Sequence, residues 1–138
     1  MTKIKYEKEK RINVLVAEDD KIFKMIYSKT LEKLGTKYAI AENGKEGLEK
    51  FINNYEKGAP FDLVISDIRM PVKDGIEMAE NIREYENEKN IAITQMYAIT
   101  TFEVDDCRKK CLDAGFNYFL RKESLVEDLA KIVQDYKK

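Results

Sequence analysis

Apolar positions along the chain alternate between two rhythms. Residues 12–17, Ile-Asn-Val-Leu-Val-Ala, form a nearly continuous β-branched run that stops abruptly at Glu18-Asp19-Asp20, the pattern of a buried strand ending in acids. Phe23, Ile26, Tyr27, Thr30, Leu31 and Leu34 then recur at helical spacing, and Gly35 supplies the left-handed position that ends a helix. Tyr38 and Ile40 predict a second, short strand, closed by the turn pair Asn43-Gly44; Leu48, Phe51, Ile52 and Tyr55 return to helical spacing.

The rhythm repeats three more times. Gly58, Pro60 and Asp62 punctuate the chain before the strand Leu63-Val64-Ile65, which ends at Ser66-Asp67. Met70 to Gly75 reads as a loop, with Asp74-Gly75 as its turn and helix start, and Ile76, Ala79, Ile82 and Tyr85 as the following helix. A fourth strand is predicted between Ile91 and Ile99, ending at Thr100-Thr101, and Val104, Cys107, Cys111 and Ala114 space a helix that Gly115 terminates. Tyr118-Phe119-Leu120 makes a short fifth strand ending at Arg121-Lys122. Ser124 and Glu127 match a capping box for a last helix, with the stripe Val126, Leu129, Ile132, Val133 and Tyr136.

Five strands alternating with five helices predict an α/β fold with a parallel sheet covered on both faces, because parallel strands need long right-handed crossovers. A length of 138 residues suits one domain, expected over residues 12–138, with Met1 to Arg11 as a charged arm or linker. No repeat or low-complexity segment interrupts the pattern.

Composition narrows the chemistry. Lysine and arginine number 25 against 26 acids, a net charge of −1, so nucleic acid is not an expected partner. The absence of histidine removes Ser-His-Asp and Cys-His catalysis, His-ligated zinc, and a role as phosphohistidine donor. Cys107 and Cys111, four apart on one helix face, read as packing residues. No run approaches the roughly 18 apolar residues of a membrane span, and a cytoplasmic location without membrane association is expected.

Glu18, Asp19, Asp67, Thr100 and Lys122 all fall at the carboxyl ends of predicted strands, the edge that forms the ligand crevice of an open α/β sheet. Three carboxylates drawn together stay ionised only beside a cation, and hard oxygen ligands suit magnesium, with manganese as the alternative. A metal and an ammonium beside a hydroxyl could stabilise a transferring phosphoryl group, with one carboxylate as nucleophile.

The segments Val14-Leu15-Val16-Ala17-Glu18-Asp19-Asp20, Ser66-Asp67-Ile68-Arg69-Met70-Pro71-Val72-Lys73-Asp74-Gly75 and Phe119-Leu120-Arg121-Lys122 resemble response-regulator receiver domains of two-component signalling, the chemotaxis regulators among them. The resemblance spans nearly the whole chain and implies a flavodoxin-like fold of strand order 2-1-3-4-5. It implies Asp67 as phosphoacceptor from the phosphohistidine of a histidine kinase or phosphotransfer protein. It also implies magnesium held by Asp19, Asp67 and the Arg69 backbone carbonyl, with Glu18 acting through water. Lys122 would neutralise the aspartyl phosphate. Thr100 would hydrogen-bond it while Phe119 swings inward, changing the face of the fourth helix, fifth strand and fifth helix that a downstream protein reads. Such a domain is a switch that catalyses its own phosphoryl transfer and hydrolysis, not a turnover enzyme.

Two positions depart from the family's pattern. Glu123 follows Lys122 where the family usually has proline, so a trans bond is expected, since cis without proline costs about 3–4 kcal/mol. Thr101 is bulkier than the usual alanine or glycine and narrows the path to Asp67. Arg69, Thr101 and Phe102 are the expected tuning positions, and the bulk of Arg69 and Phe102 predicts a long-lived phosphoryl group. Competing readings are a degenerate receiver acting only through protein contacts, a small magnesium-dependent aspartyl phosphatase, and an FMN carrier, the last disfavoured because no Ser/Thr/Gly-rich loop follows the first strand. No output domain is expected to fit after the fifth helix. The chain reads either as a stand-alone regulator or as a receiver from the end of a hybrid sensor kinase.

Overall fold

The computed structural model describes residues 11–101 and 105–137. Within them the chain runs β1 (Asn13–Ala17), α1 (Lys21–Lys33), β2 (Lys37–Ala41), α2 (Gly44–Glu56), β3 (Leu63–Asp67), α3 (Gly75–Lys89), β4 (Gln95–Thr100), α4 (Asp105–Ala114), β5 (Tyr118–Arg121), a one-turn 3-10 helix (Lys122–Ser124) and α5 (Leu125–Lys137). The strands lie in the order β2-β1-β3-β4-β5, and every neighbouring pair is parallel. This is the flavodoxin-like arrangement that the alternation and the resemblance led us to expect. Most of the charged arm, Phe102 and Val104 fall outside the described residues. Arg11, its last residue, donates from Nε to the Gly35 carbonyl at 3.1 Å.

Strand periodicity divides the core into two layers. Leu15 and Ala17 of β1 face one side with Val64, Met96 and Ala98, where Phe51 of α2, Met78 and Ile82 of α3, and Cys111 of α4 cover them. Val14 and Val16 face the other side with Ile65 and Ile99, under Tyr27 and Leu31 of α1 and Leu129 and Val133 of α5. Each such aliphatic side chain contributes about 1.5–3 kcal/mol by leaving water.

Polar residues set the helix starts. Asp20 caps α1 by accepting from the Ile22 and Phe23 amides, Asn43 caps α2 through Glu46 N, and Asp74 caps α3 through Glu77 N. Gly35, at φ 73°, ends α1 in the left-handed region as its position predicted.

Three expectations need correction. The fourth strand begins at Gln95, and Ile91 to Thr94 form a loop. That loop is held by Glu86 of α3, whose Oε2 accepts from Thr94 N at 2.8 Å. Ser124 is not the N-cap of a box with Glu127: it lies in the 3-10 turn, and its hydroxyl donates to Asp128 Oδ2 at 2.8 Å. In α5 the buried stripe runs through Leu125, Leu129, Ile132 and Val133, while Val126 and Tyr136 are 51% and 45% exposed. The 3-10 turn rotates the helix relative to its expected start, which substitutes Leu125 for Val126 on the inner face.

Candidate functional site

Parallel strands joined by crossovers put all their carboxyl ends on one edge, and this brings residues far apart in sequence together there. Glu18 immediately follows β1, and its amide extends the ladder by donating to Ala41 O at 2.9 Å. Asp67 is the last residue of β3 and Thr100 the last of β4; Lys122 follows the end of β5. The loop after β3 turns back tightly, with Gly75 N donating to Ile68 O at 2.8 Å. A Cβ on Gly75 would stand 2.1 Å from the Asp67 carbonyl, so only glycine permits this approach beneath the carboxylate.

Lys122 ties the cluster together. Its Nζ donates to Asp67 Oδ2 at 3.0 Å and stands 2.9 Å from Glu18 Oε1. It also lies 4.2 Å from the centroid of the Phe23 ring, within cation–π range. Glu18 is fully buried and its Oε2 accepts from Asp20 N at 3.0 Å. Asp67 is half-buried, with Oδ1 accepting from Ile68 N at 2.7 Å. Burial, opposed by the Lys122 ammonium and the Asp20 amide and reinforced by the Asp67 charge, pushes the Glu18 carboxyl above its ordinary pKa. Burial alone would lower the Lys122 pKa, but Glu18 and Asp67 outweigh it and hold the ammonium above its ordinary value.

Asp19 is exposed, and one oxygen each from Glu18, Asp19 and Asp67 lie within 4.8 Å of one another. The donor set fits a hard divalent cation: three carboxylate oxygens at a spacing one ion can span, with one ammonium against three acids. A cluster of this charge beside a lysine and a hydroxyl can hold a cation and receive an anionic oxygen group.

The other expected residues take varied places. Thr100 is buried at the same edge, while Arg69 and Thr101 are exposed. Phe119 is half-buried against the α2–α4 layer, with the Arg108 guanidinium 5.8 Å from its ring. Among the described residues no peptide bond is cis, so Lys122–Glu123 is trans as expected, and Glu123 lies exposed 3.8 Å from Arg121. Cys107 and Cys111 are free thiols packed with that same layer, and burial pushes the Cys111 thiol up to about 11. No described helix is long and apolar enough to cross a membrane.

Sequence reasoning read Phe23 and Tyr27 only as members of an apolar stripe. The overlooked sign was their place, on the first two turns after the acids and on the face turned to the sheet.

Comparison with known proteins matches this architecture to a family. The family model for the response regulator receiver domain matches residues 14–134. The hybrid signal transduction histidine kinase K of Dictyostelium discoideum is 33% identical over 127 residues, which are 89% of this chain and 10% of that protein, so the chain spans only a small part of that kinase. Among solved structures, the receiver domain of the response regulator Ssk1 of Saccharomyces cerevisiae, crystallised with the histidine phosphotransfer protein Ypd1, superposes with a TM-score of 0.78 at 30% identity, covering 89% of this chain and 86% of that one. The receiver domain of a sensor histidine kinase of Pseudomonas aeruginosa PAO1, solved with magnesium coordinated in its active-site cleft, gives a TM-score of 0.76 at 25% identity, covering 91% and 97%. With a match that runs from within β1 to within α5, this chain belongs to the response regulator receiver domain family.

Proposed function

We propose that this receiver domain takes a phosphoryl group from a phosphohistidine partner onto Asp67. The observation that carries the reading is the Lys122 ammonium 3.0 Å from Asp67 and 2.9 Å from Glu18, beside three carboxylates that can share a cation. An Asp67 carboxylate oxygen attacks the phosphorus, the new O–P bond forms as the N–P bond of the donor imidazole breaks, and the electron pair leaves with the imidazole. Asp19, Asp67 and the Arg69 carbonyl would hold magnesium, with Glu18 contacting it through water. The ion supplies positive charge to the phosphoryl oxygens and relieves the repulsion among the acids. Lys122 neutralises the phosphorylated Asp67, and the Thr100 hydroxyl donates to a phosphoryl oxygen. The same site returns the domain to rest by slow hydrolysis, which the bulk of Arg69 and Phe102 retards, while Thr101 narrows the path to Asp67.

The partner is a histidine kinase or histidine phosphotransfer protein, docking over Ile22 and Met25 of α1 and Val72 of the β3–α3 loop, three exposed apolar side chains on the elements that rim the acids. Phosphorylation is read by a downstream protein on the α4-β5-α5 face. A groove of about 330 Å³ between β4, β5 and α5, at the margin of that face, runs past the stacked rings of Tyr97 and Tyr118, and Phe119 is the inward-moving member of the switch. Free thiols accord with a cytoplasmic location. Intact mass after incubation with magnesium and acetyl phosphate tests the reading: the wild type gains one phosphoryl group, and Asp67→Asn gains none. A folded wild type that gains nothing favours the degenerate receiver.

A further inference from the structure

Tyr27 lies on α1 one turn beyond Phe23 and is fully buried in the layer between α1, α5 and the sheet. Its ring suits that layer, but its hydroxyl does not: the oxygen is buried and has no hydrogen-bond partner among the described residues. An unpaired hydroxyl is among the costlier things to bury, so a specific partner is the physical expectation. Glu18 presents the complementary atom. Its Oε2 is held by the Asp20 amide, whereas Oε1 meets the Lys122 ammonium at 2.9 Å, a contact that Lys122 shares with Asp67 and that leaves the oxygen a further lone pair for a second donor.

A buried donor without an acceptor therefore lies one turn along α1 from Phe23, whose ring packs against the ammonium that Glu18 shares with Asp67. After burial itself, the charges of Glu18 and then Asp67 are what raise the Tyr27 hydroxyl well above its ordinary pKa. Lys122 meanwhile divides itself between two carboxylates, and drawing it toward a phosphoryl group on Asp67 would leave Glu18 with the Asp20 amide alone.

We infer that Tyr27 is a positioning residue for Glu18: its hydroxyl donates to the Glu18 carboxylate, directly or through one buried water, and steers that carboxylate toward the cation. The inference rests on the reading of Glu18, Asp19 and Asp67 as a cation site. Tyr85 provides the control. Its hydroxyl is likewise buried without a partner, but it sits on α3 against the opposite layer, beside Phe51 and Tyr55.

Calorimetric titration of the full chain with magnesium tests this. Tyr27→Phe keeps the ring and is expected to weaken magnesium binding about tenfold, the lower end for outer-shell partners of a metal site, while Tyr85→Phe binds as the wild type does. In a Glu18→Gln background the Tyr27→Phe change should cost nothing further, because the residue acts through Glu18; an undiminished loss there overturns the inference. Wild-type affinity in Tyr27→Phe overturns it as well, whereas a wild type that binds no magnesium overturns the cation reading itself. In the unaltered protein, the 13Cζ resonance of Tyr27, which reports hydroxyl hydrogen bonding, should shift on adding magnesium, and a resonance that stays still counts against the proposal.

Discussion

Glu18 is a carboxylate that the folded chain holds at some cost. Its pKa lies above the ordinary 4.5, chiefly through burial and despite Lys122. A carboxyl whose folded pKa exceeds its unfolded one contributes most to stability below the unfolded value, and that contribution disappears as pH rises through the folded one. The cation-free Glu18→Gln protein should therefore melt at a higher temperature than the wild type at pH 8, and the gap should close as pH falls toward 4.5; thermal scans over that range check the sign. Val72 is a second residue under strain, a β-branched side chain at φ 70° and 77% exposed. Val72→Gly should stabilise the fold by about 1 kcal/mol in chemical denaturation. If Val72 is part of the docking rim, the same change weakens partner binding. The acids and the lysine were legible in the sequence as polar stops after apolar strands. Strain at Val72 was not, because the left-handed conformation arises from the way the loop returns to place Gly75 under Asp67.

At the scale of elements, α3 is fastened to the opposite end of the sheet by one polar knot. The Glu86 carboxylate is buried, pairs with Arg83 Nη1 at 2.7 Å and accepts from Thr94 N at 2.8 Å. Arg83 reaches on to the Gly115 carbonyl at 2.7 Å and to Asn117 Oδ1 at 2.9 Å. Asn117 Oδ1 also accepts from the Met96 amide, so the knot joins α3, the approach to β4 and the α4–β5 turn. Glu86→Ala leaves the Arg83 guanidinium and the Thr94 amide without that partner and should cost about 3 kcal/mol by urea unfolding. It should not alter magnesium affinity, because the knot lies away from the carboxyl edge. Helical spacing identified α3, but a Glu inside a helix reads as surface, and only the arrival of the loop before β4 makes Glu86 interior. The same dependence on neighbours moved the start of β4 to Gln95.

For the whole molecule, stability and function meet at the carboxyl edge. Three acids around one lysine repel one another in the cation-free fold, so a cation that binds only the folded state should stabilise it. At a hundredfold excess over Kd the gain is about 2.7 kcal/mol, several degrees in Tm for a domain of this size. A thermal shift with magnesium in the wild type, lost in Asp19→Asn, is the expected result; equal shifts in both would remove Asp19 from the site. Because Glu18 and Asp19 follow β1, Asp67 ends β3 and Lys122 follows β5, this one edge joins residues from the centre of the sheet to one from its β5 margin.

The order of strands and helices, the two-sided sheet and the edge at which chemistry would gather were all determined by the sequence itself, because buried parallel strands are continuous apolar runs and their polar ends mark one edge. Tertiary structure decided what each polar group meets there. It paired one ammonium with two acids, set Phe23 over that ammonium, and buried the Tyr27 hydroxyl without a hydrogen-bond partner among the described residues. Periodicity records which face of an element is buried, whereas the partner of a buried polar atom depends on distances between segments that share no local pattern.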